Sequence, residues 1–184
     1  LKENAASVIK KLKKKGIDIF MISGDNDSAA RRVAIELEIE DYSSRTLLDE
    51  KEKIVTALQS KSRNVGMVGD GINDAPSLAK ANVGIAVGTG QDIAIDSADV
   101  ILVKDDLNNL LKAINISKKT VTVIKENFFW AFFYNALAIP IAAGVFVPFG
   151  IVIGPVMAAM LMAFSDVVTV LGNSLRLKYV KIDG

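Results

Sequence analysis

Two short turns carry most of the side chains in this sequence that can do chemistry. One is "SGDN", Ser23 to Asn26, and the other is "GDGIND", Gly69 to Asp74. Asp70 and Asp74 stand four residues apart, with Gly69, Gly71 and Asn73 around them. Two carboxylates so placed repel each other and bury nothing apolar. They suit a hard divalent cation instead: magnesium takes oxygen ligands, usually one or two carboxylates completed by water and phosphate oxygens. The glycines let a phosphate approach the backbone, and Asn73 can donate to a phosphoryl oxygen without adding charge. The plain alternative is a solvated turn in which Asp74 caps the following helix. Ser23 offers a hydroxyl to a phosphate oxygen. Lys51, between the two turns, offers a point cation, although a lysine on a helix is ordinarily solvated. A hydroxyl, a lysine and an acidic pair supply the positioning and charge neutralisation that phosphoryl transfer requires.

The elements that must position these groups follow from the apolar pattern. Residues 2–15 read as an amphipathic helix closed by Gly16, which suits a left-handed cap. Residues 17–22, "IDIFMI", form a buried strand. Helices are expected over 27–38 and 49–60, and further buried strands at 64–68, 83–87 and 99–103. Strands alternating with helices predict a parallel sheet covered on both faces. Both acidic turns then fall at carboxyl ends of strands, where such sheets bind ligands.

Residues 106–126 read as a polar-faced helix leading into a different kind of sequence. From Asn127 to Ser165 there is no charged residue, which exceeds the roughly 20 residues of one bilayer crossing. Two spans are expected, 128–147 and 151–172, broken by Pro148-Phe149-Gly150. Lys118, Lys119 and Lys125 precede the pair, and Arg176, Lys178 and Lys181 follow it, so the positive-inside rule puts both ends in the cytoplasm. The alternative is a buried helical hairpin. The chain has no cysteine and no histidine, which excludes a disulfide framework and a thiolate site here and leaves acid–base work to carboxylates and lysine. A net charge of +1 argues against nucleic acid as a partner. Leu1 opens inside a helical pattern without Met, which reads as the interior of a longer chain.

"MISGDN", "MVGDGINDAPSLAKANVGIAVGTGQDIAIDSADVIL" and the apolar pair resemble the P-type ATPases, across essentially the whole chain. The resemblance implies a haloacid-dehalogenase-like α/β segment, residues 1–117, forming the C-terminal part of the phosphorylation domain. It implies a transmembrane hairpin over 118–178 and a tail over 179–184. Ser23, with Gly24 and Asp25, stands where the family more often has Thr-Gly-Asp. Lys51 becomes the phosphate-site lysine, although this chain has "LDEK" where many relatives have Pro-Glu-Asp-Lys. Asp70 becomes the magnesium ligand, with Asp74 beside it and Asn73 in the catalytic loop. ATP is implied as cosubstrate, bound mainly by a domain upstream. The family's Asp-Lys-Thr-Gly-Thr motif, with its phosphorylated aspartate, is absent, as is its Thr-Gly-Glu motif. The fragment alone is therefore expected to be inactive. The rival reading, a membrane-anchored phosphatase of the same fold, needs an Asp-x-Asp pair that "IDIFMIS" does not offer.

Only two spans followed by a short tail resemble the heavy-metal pumps, and the Tyr134-Asn135 pair resembles their copper-transporting branch. Polar residues inside an apolar span point to function. Met162 and Ser165 match the Met-x-x-Ser-Ser of that branch, and a thioether suits copper(I). Asp166 replaces the second Ser, and zinc and cadmium pumps use an Asp in this helix. The expectation is a multi-pass membrane protein moving copper(I), with the lipid bilayer around it and a copper chaperone as a candidate partner; zinc or cadmium transport is the alternative.

Overall fold

The structure is a computed structural model. It describes residues 4–61, 64–69, 72–88, 96–103, 106–145 and 147–150, then 154, 156–157, 159–160, 163, 167 and 171–178. The chain divides into two compact units, residues 1–112 and 113–183, apart from the terminal residue.

The first unit opens with α1, Ala5–Lys14, which buries Ala5, Val8 and Leu12 along one stripe. Gly16 ends it at φ +75, its N–H on the Lys13 carbonyl, as the left-handed cap expected of it. Next come β1, Phe20–Ile22; α2, Asp27–Glu36; and β2, Asp41–Ser43. β1 and β2 pair in parallel, Phe20 opposite Asp41. Ala5, Ala34, Leu37 and Ile39 form a core over this pair, joined by Ile9, Ile19, Met21, Val33, Tyr42 and Leu107.

The second half of the unit holds α3, Leu48–Ser60; β3, Gly66–Gly69; and a 3-10 turn, Ile72–Asp74. After these come α4, Ala75–Lys80; β4, Val83–Val87; and β5, Val100–Leu102. β3, β4 and β5 form a parallel ladder in that order. The expected single sheet is thus two parallel ladders among the described residues, β1–β2 and β3–β4–β5. Phe20 of β1 and Val68 of β3 are both exposed apolar side chains, so each ladder keeps a partly uncovered strand.

Two contacts fix α4 and β4. A Cβ on Gly84 would lie 2.6 Å from the Leu78 carbonyl oxygen, so only glycine lets the end of α4 sit this close to the strand. The Asp99 carboxylate accepts from the Gly84 N–H at 2.8 Å, while the Asp99 N–H donates to the Gly84 carbonyl. At the far end of the ladder, Asn82 Oδ1 accepts from the Val65 N–H and from Gln59 Nε2, tying α3 to the start of β3.

α5, Asn108–Ala142, merges the expected polar helix and the first expected span into one element. It begins in the first unit, where Asp106 Oδ1 accepts from the Asn108 N–H at 2.9 Å and from the Asn4 side chain. Its expected end at Val147 is corrected to Ala142: Pro140 lies within the helix and Gly144 turns the chain at φ +86. The expected "PFG" break overlaps a 3-10 turn, Val147–Phe149. Among the described residues no helix is long and apolar enough to cross a membrane. The uncharged part of α5 from Phe128 to Ala142 covers about 22 Å, short of the roughly 30 Å hydrocarbon core. Most of the second expected span lies outside the described residues. The last described helix is α6, Gly172–Lys178.

Gly84→Ala is expected to cost about 2 kcal/mol through overpacking against Leu78, read as the urea unfolding free energy; an unchanged value refutes the tight contact. Asp106 provides a pH marker. The Asn108 N–H, the Asn108 and Asn4 side chains and Lys112 hold its carboxyl below the ordinary 3.8, against the opposing effect of burial. A depressed carboxylate stabilises the fold above its unfolded value, and this contribution fades as pH falls through the folded one. A carbon-detected titration of Asp106 should therefore show a midpoint below 3.8.

Candidate functional site

The "SGDN" turn is an extension of β1. The Ser23 N–H continues the ladder onto the Ser43 carbonyl at 2.9 Å. The Thr46 N–H returns to the Ser23 carbonyl at 3.0 Å, and the Arg45 N–H to the Asp25 carbonyl at 2.7 Å. Arg45 takes a left-handed φ of +52, rare for a residue with a Cβ, to make this second closure. The turn is thereby held by backbone on both sides. Inside it, Ser23 Oγ accepts from the Asp25 N–H at 3.1 Å and donates to the Asp25 carboxylate at 3.2 Å. Gly24 is exposed, and a Cβ there would meet only the Thr46 carbonyl at 3.7 Å. Among the described residues no atom demands that glycine. Asn26 caps α2, its Oδ1 accepting from the Ala29 N–H.

The lysine and one carboxylate of the second turn meet directly. Lys51, on the first turn of α3, places Nζ 2.7 Å from Asp74 Oδ1. Both side chains are largely buried, 17% and 13% exposed, so the pair is shielded from the solvent screening that makes surface ion pairs weak. Asp74 occupies the cap position of α4 but makes no side-chain capping bond. Its carboxylate is committed to Lys51, which decides against the plain capping turn. Gly69 explains how Asp74 reaches the pair: a Cβ on Gly69 would lie 2.6 Å from Asp74 Cβ and 2.7 Å from Oδ2. α3 is itself held at its start by Glu50, whose carboxylate accepts from the Leu47 N–H at 2.8 Å.

The remaining expected residues are placed as follows. Asn73 is exposed on the 3-10 turn. Asp70 lies outside the described residues, as do Met162 and Ser165. Tyr134 and Asn135 sit on the exposed apolar part of α5, and the Tyr134 ring packs on Trp130 at 5.9 Å between centroids. Sequence reasoning missed Thr46, buried with its hydroxyl donating to Ser43 Oγ at 2.9 Å. It also missed Asp27, which accepts from Ser44 Oγ at 3.1 Å and from the Tyr42 hydroxyl at 3.5 Å. The hydroxyl-rich run "YSSRT" was the available signal. Among the described residues no three acidic side chains gather into a metal cage. The donors of these turns are all oxygen, a set that fits magnesium held by few carboxylates and completed by phosphate.

Family models described as haloacid dehalogenase-like hydrolase match residues 1–82 and residues 50–124. A relative named "Copper-transporting ATPase 2" from Rhizobium meliloti (strain 1021) is 50% identical over 181 residues, covering 98% of this chain and 22% of the relative. A "Probable copper-exporting P-type ATPase" from Archaeoglobus fulgidus is 46% identical over 179 residues, 97% of this chain and 22% of the relative. The chain thus spans about a fifth of the length of these curated relatives. A crystal structure of a zinc-transporting PIB-type ATPase in its E2.Pi state matches with a TM-score of 0.83 at 32% identity, over 96% of this chain and 28% of that one.

The ion pair makes a prediction of its own. Lys51→Met leaves Asp74 buried without its cation and is expected to cost about 3 kcal/mol. The double variant Lys51→Met with Asp74→Leu should recover most of that loss. Unfolding free energies of the parent, both single variants and the double variant test this; additive losses contradict a coupled pair.

Proposed function

We propose that the chain belongs with the heavy-metal P-type ATPases, with a haloacid-dehalogenase-like fold, and that it is the part of an ATP-driven copper(I) pump that joins the phosphate site to the ion path. The observation that carries the proposal is homology over nearly the entire chain, through the phosphate turns and on into the apolar helices. The copper-named relatives stand at 46–50% identity and the zinc-named structure at 32%, which supports copper over the zinc alternative.

In the proposed mechanism the aspartate that carries the phosphoryl group and most of the nucleotide site come from parts of the protein outside this chain. The residues here receive the transferred group. Ser23 turns its hydroxyl from Asp25 to a phosphoryl oxygen, with Gly24 allowing close approach of the backbone. Lys51 faces the phosphoryl charge, and Asp74 holds it there through one carboxylate oxygen. Asp70 is the main magnesium carboxylate, with Asp74 next to it, and Asn73 donates to the phosphate without adding charge. Magnesium, when bound, neutralises charge on the phosphoryl oxygens. Little covalent work falls to the protein, so catalysis rests on this positioning.

Residues 118–178 are proposed as the two-span hairpin of a multi-pass membrane protein with the phosphate site in the cytoplasm. Tyr134 and Asn135 from the first span, with Met162 and Ser165 from the second, are proposed to hold copper(I); a chaperone is the proposed donor of the ion. A soft thioether favours a monovalent soft metal over zinc.

Three results are expected. The purified 184-residue chain should not turn over ATP, and magnesium-dependent turnover by it would sink the proposal. In the whole pump, Asp70→Asn should raise the magnesium needed for phosphoenzyme formation by about tenfold or more; normal phosphoenzyme at ordinary magnesium makes Asp70 a turn residue only. Copper(I) should stimulate ATPase activity better than zinc or cadmium, and Met162→Ala should weaken that stimulation. Zinc or cadmium acting best, with Met162→Ala silent and Asp166→Ser inactive, replaces copper with a divalent ion.

A further inference from the structure

Among the described residues of the second compact unit, a side-chain hydrogen bond joins two helices apart from the proposed ion ligands. Asn173 Nδ2, on α6, donates to Asn127 Oδ1, on α5, at 2.8 Å, and both residues are half-buried. They lie far apart in sequence, so the bond joins two helices. Asn127 stands where the charge-free stretch begins, and Phe128 and Phe129 follow it. An amide in such surroundings costs free energy unless it is paired. Pairing two amides across helices satisfies both groups and selects one register, since sliding or rotating either helix by one residue unpairs them.

The exposure pattern along α5 shows which face this bond marks. Val123, Asn127, Trp130 and Tyr134 recur at intervals of four, three and four residues, the spacing of one helical seam. Val123 is 3% exposed, Trp130 41% and Tyr134 40%; off the seam, Phe133 is 44% exposed and Phe128, Phe129 and Phe132 60–72%. Tyr134 is two turns beyond Asn127, about 10 Å along the same face. Trp130 lies between them along this seam, its ring packed on Tyr134 at 5.9 Å and tilted 32° to it.

We propose that the Asn127–Asn173 bond is a register pin between α5 and α6, and that Asn127, Asn173 and Trp130 are positioning residues that turn Tyr134 toward the ion path. The inference rests on the reading of Tyr134 as a ligand of the transported ion. Through the pin, a residue that touches no ion sets the orientation of one that does. The pin acts on affinity for the ion and leaves the phosphoryl-transfer step alone.

The test is a double-mutant cycle in the full-length pump in lipid membranes, with copper(I)-stimulated ATPase as the readout. Asn127→Ala and Asn173→Ala should each raise the KM for copper(I) about three- to fifteen-fold, the range of interhelical hydrogen bonds in membranes. kcat should stay within about twofold, and the double variant should be no worse than the worse single one. Multiplying effects, an unmoved KM, or a fall in kcat alone would overturn the pin. Cross-linking supplies a second readout that needs no metal and covers alanine variants that fail to fold. With a short thiol-specific cross-linker, Asn127→Cys with Asn173→Cys should join, identified by mass spectrometry of the linked peptides, while Phe132→Cys with Asn173→Cys should not. Equal linking of both pairs, or of neither, refutes the register. If copper(I) fails to stimulate the unmodified pump, the ligand assignment falls and the cross-linking result alone decides the pin.

Discussion

The proposed phosphate site depends on a lysine and an aspartate that meet 2.7 Å apart where little water reaches them. A mostly buried ammonium without its carboxylate is costly, and so is the carboxylate without its ammonium. Each therefore fixes the other. Lys51 comes from the start of α3, and Asp74 from the turn that leads β3 into α4. Joining them locks the helix that precedes the ladder to the turn that leaves it. Gly69 is the third member, since any side chain there would occupy the space of the Asp74 carboxylate. In our proposal Tyr134 and its seam are turned by a hydrogen bond between helices, whereas the proposed phosphate site is set more firmly, by charge.

The rest of the first unit brings the parts to that pair. Gly84 lets α4 close onto β4, and Asp99 clamps the Gly84 backbone from the other side. Asn82 ties α3 to the opening of β3. The "SGDN" turn is braced separately, by two backbone bonds from Thr46 and Arg45. These contacts put rigid elements under a loop that offers a hydroxyl and a bare backbone at Gly24. That arrangement suits chemistry in which the protein orients and neutralises and forms few bonds itself.

Much of this was legible in the residues. Gly16 announced the end of α1, and the apolar stripe through Ala5, Val8 and Leu12 announced its buried face. The apolar runs before "SGDN" and "GDGIND" located the strands, and strand ends located the turns. Other features left no local trace. β2 is three residues, "DYS", with no apolar alternation to reveal it. The pairing of Lys51 with Asp74 joins residues far apart in sequence, and a lysine on an exposed-looking helix gives no sign of its partner. Gly69 read as a glycine for phosphate approach, and its packing against Asp74 is a further requirement that the residues alone do not announce. The end of α5 was misplaced because hydropathy runs on past Ala142, while Pro140 and Gly144 act on the backbone. The Asn127–Asn173 bond was invisible for the same reason as the ion pair: it joins distant residues.

The most direct measurement of the central claim is a structure of the full-length protein with magnesium and beryllofluoride, a mimic of the phosphoryl group. Lys51 Nζ should lie within about 3 Å of a fluoride while keeping its contact with Asp74, magnesium should rest against Asp70, and Ser23 Oγ should have turned to the mimic. A bound mimic with Lys51 facing solvent, or with the Lys51–Asp74 pair broken, would contradict the account.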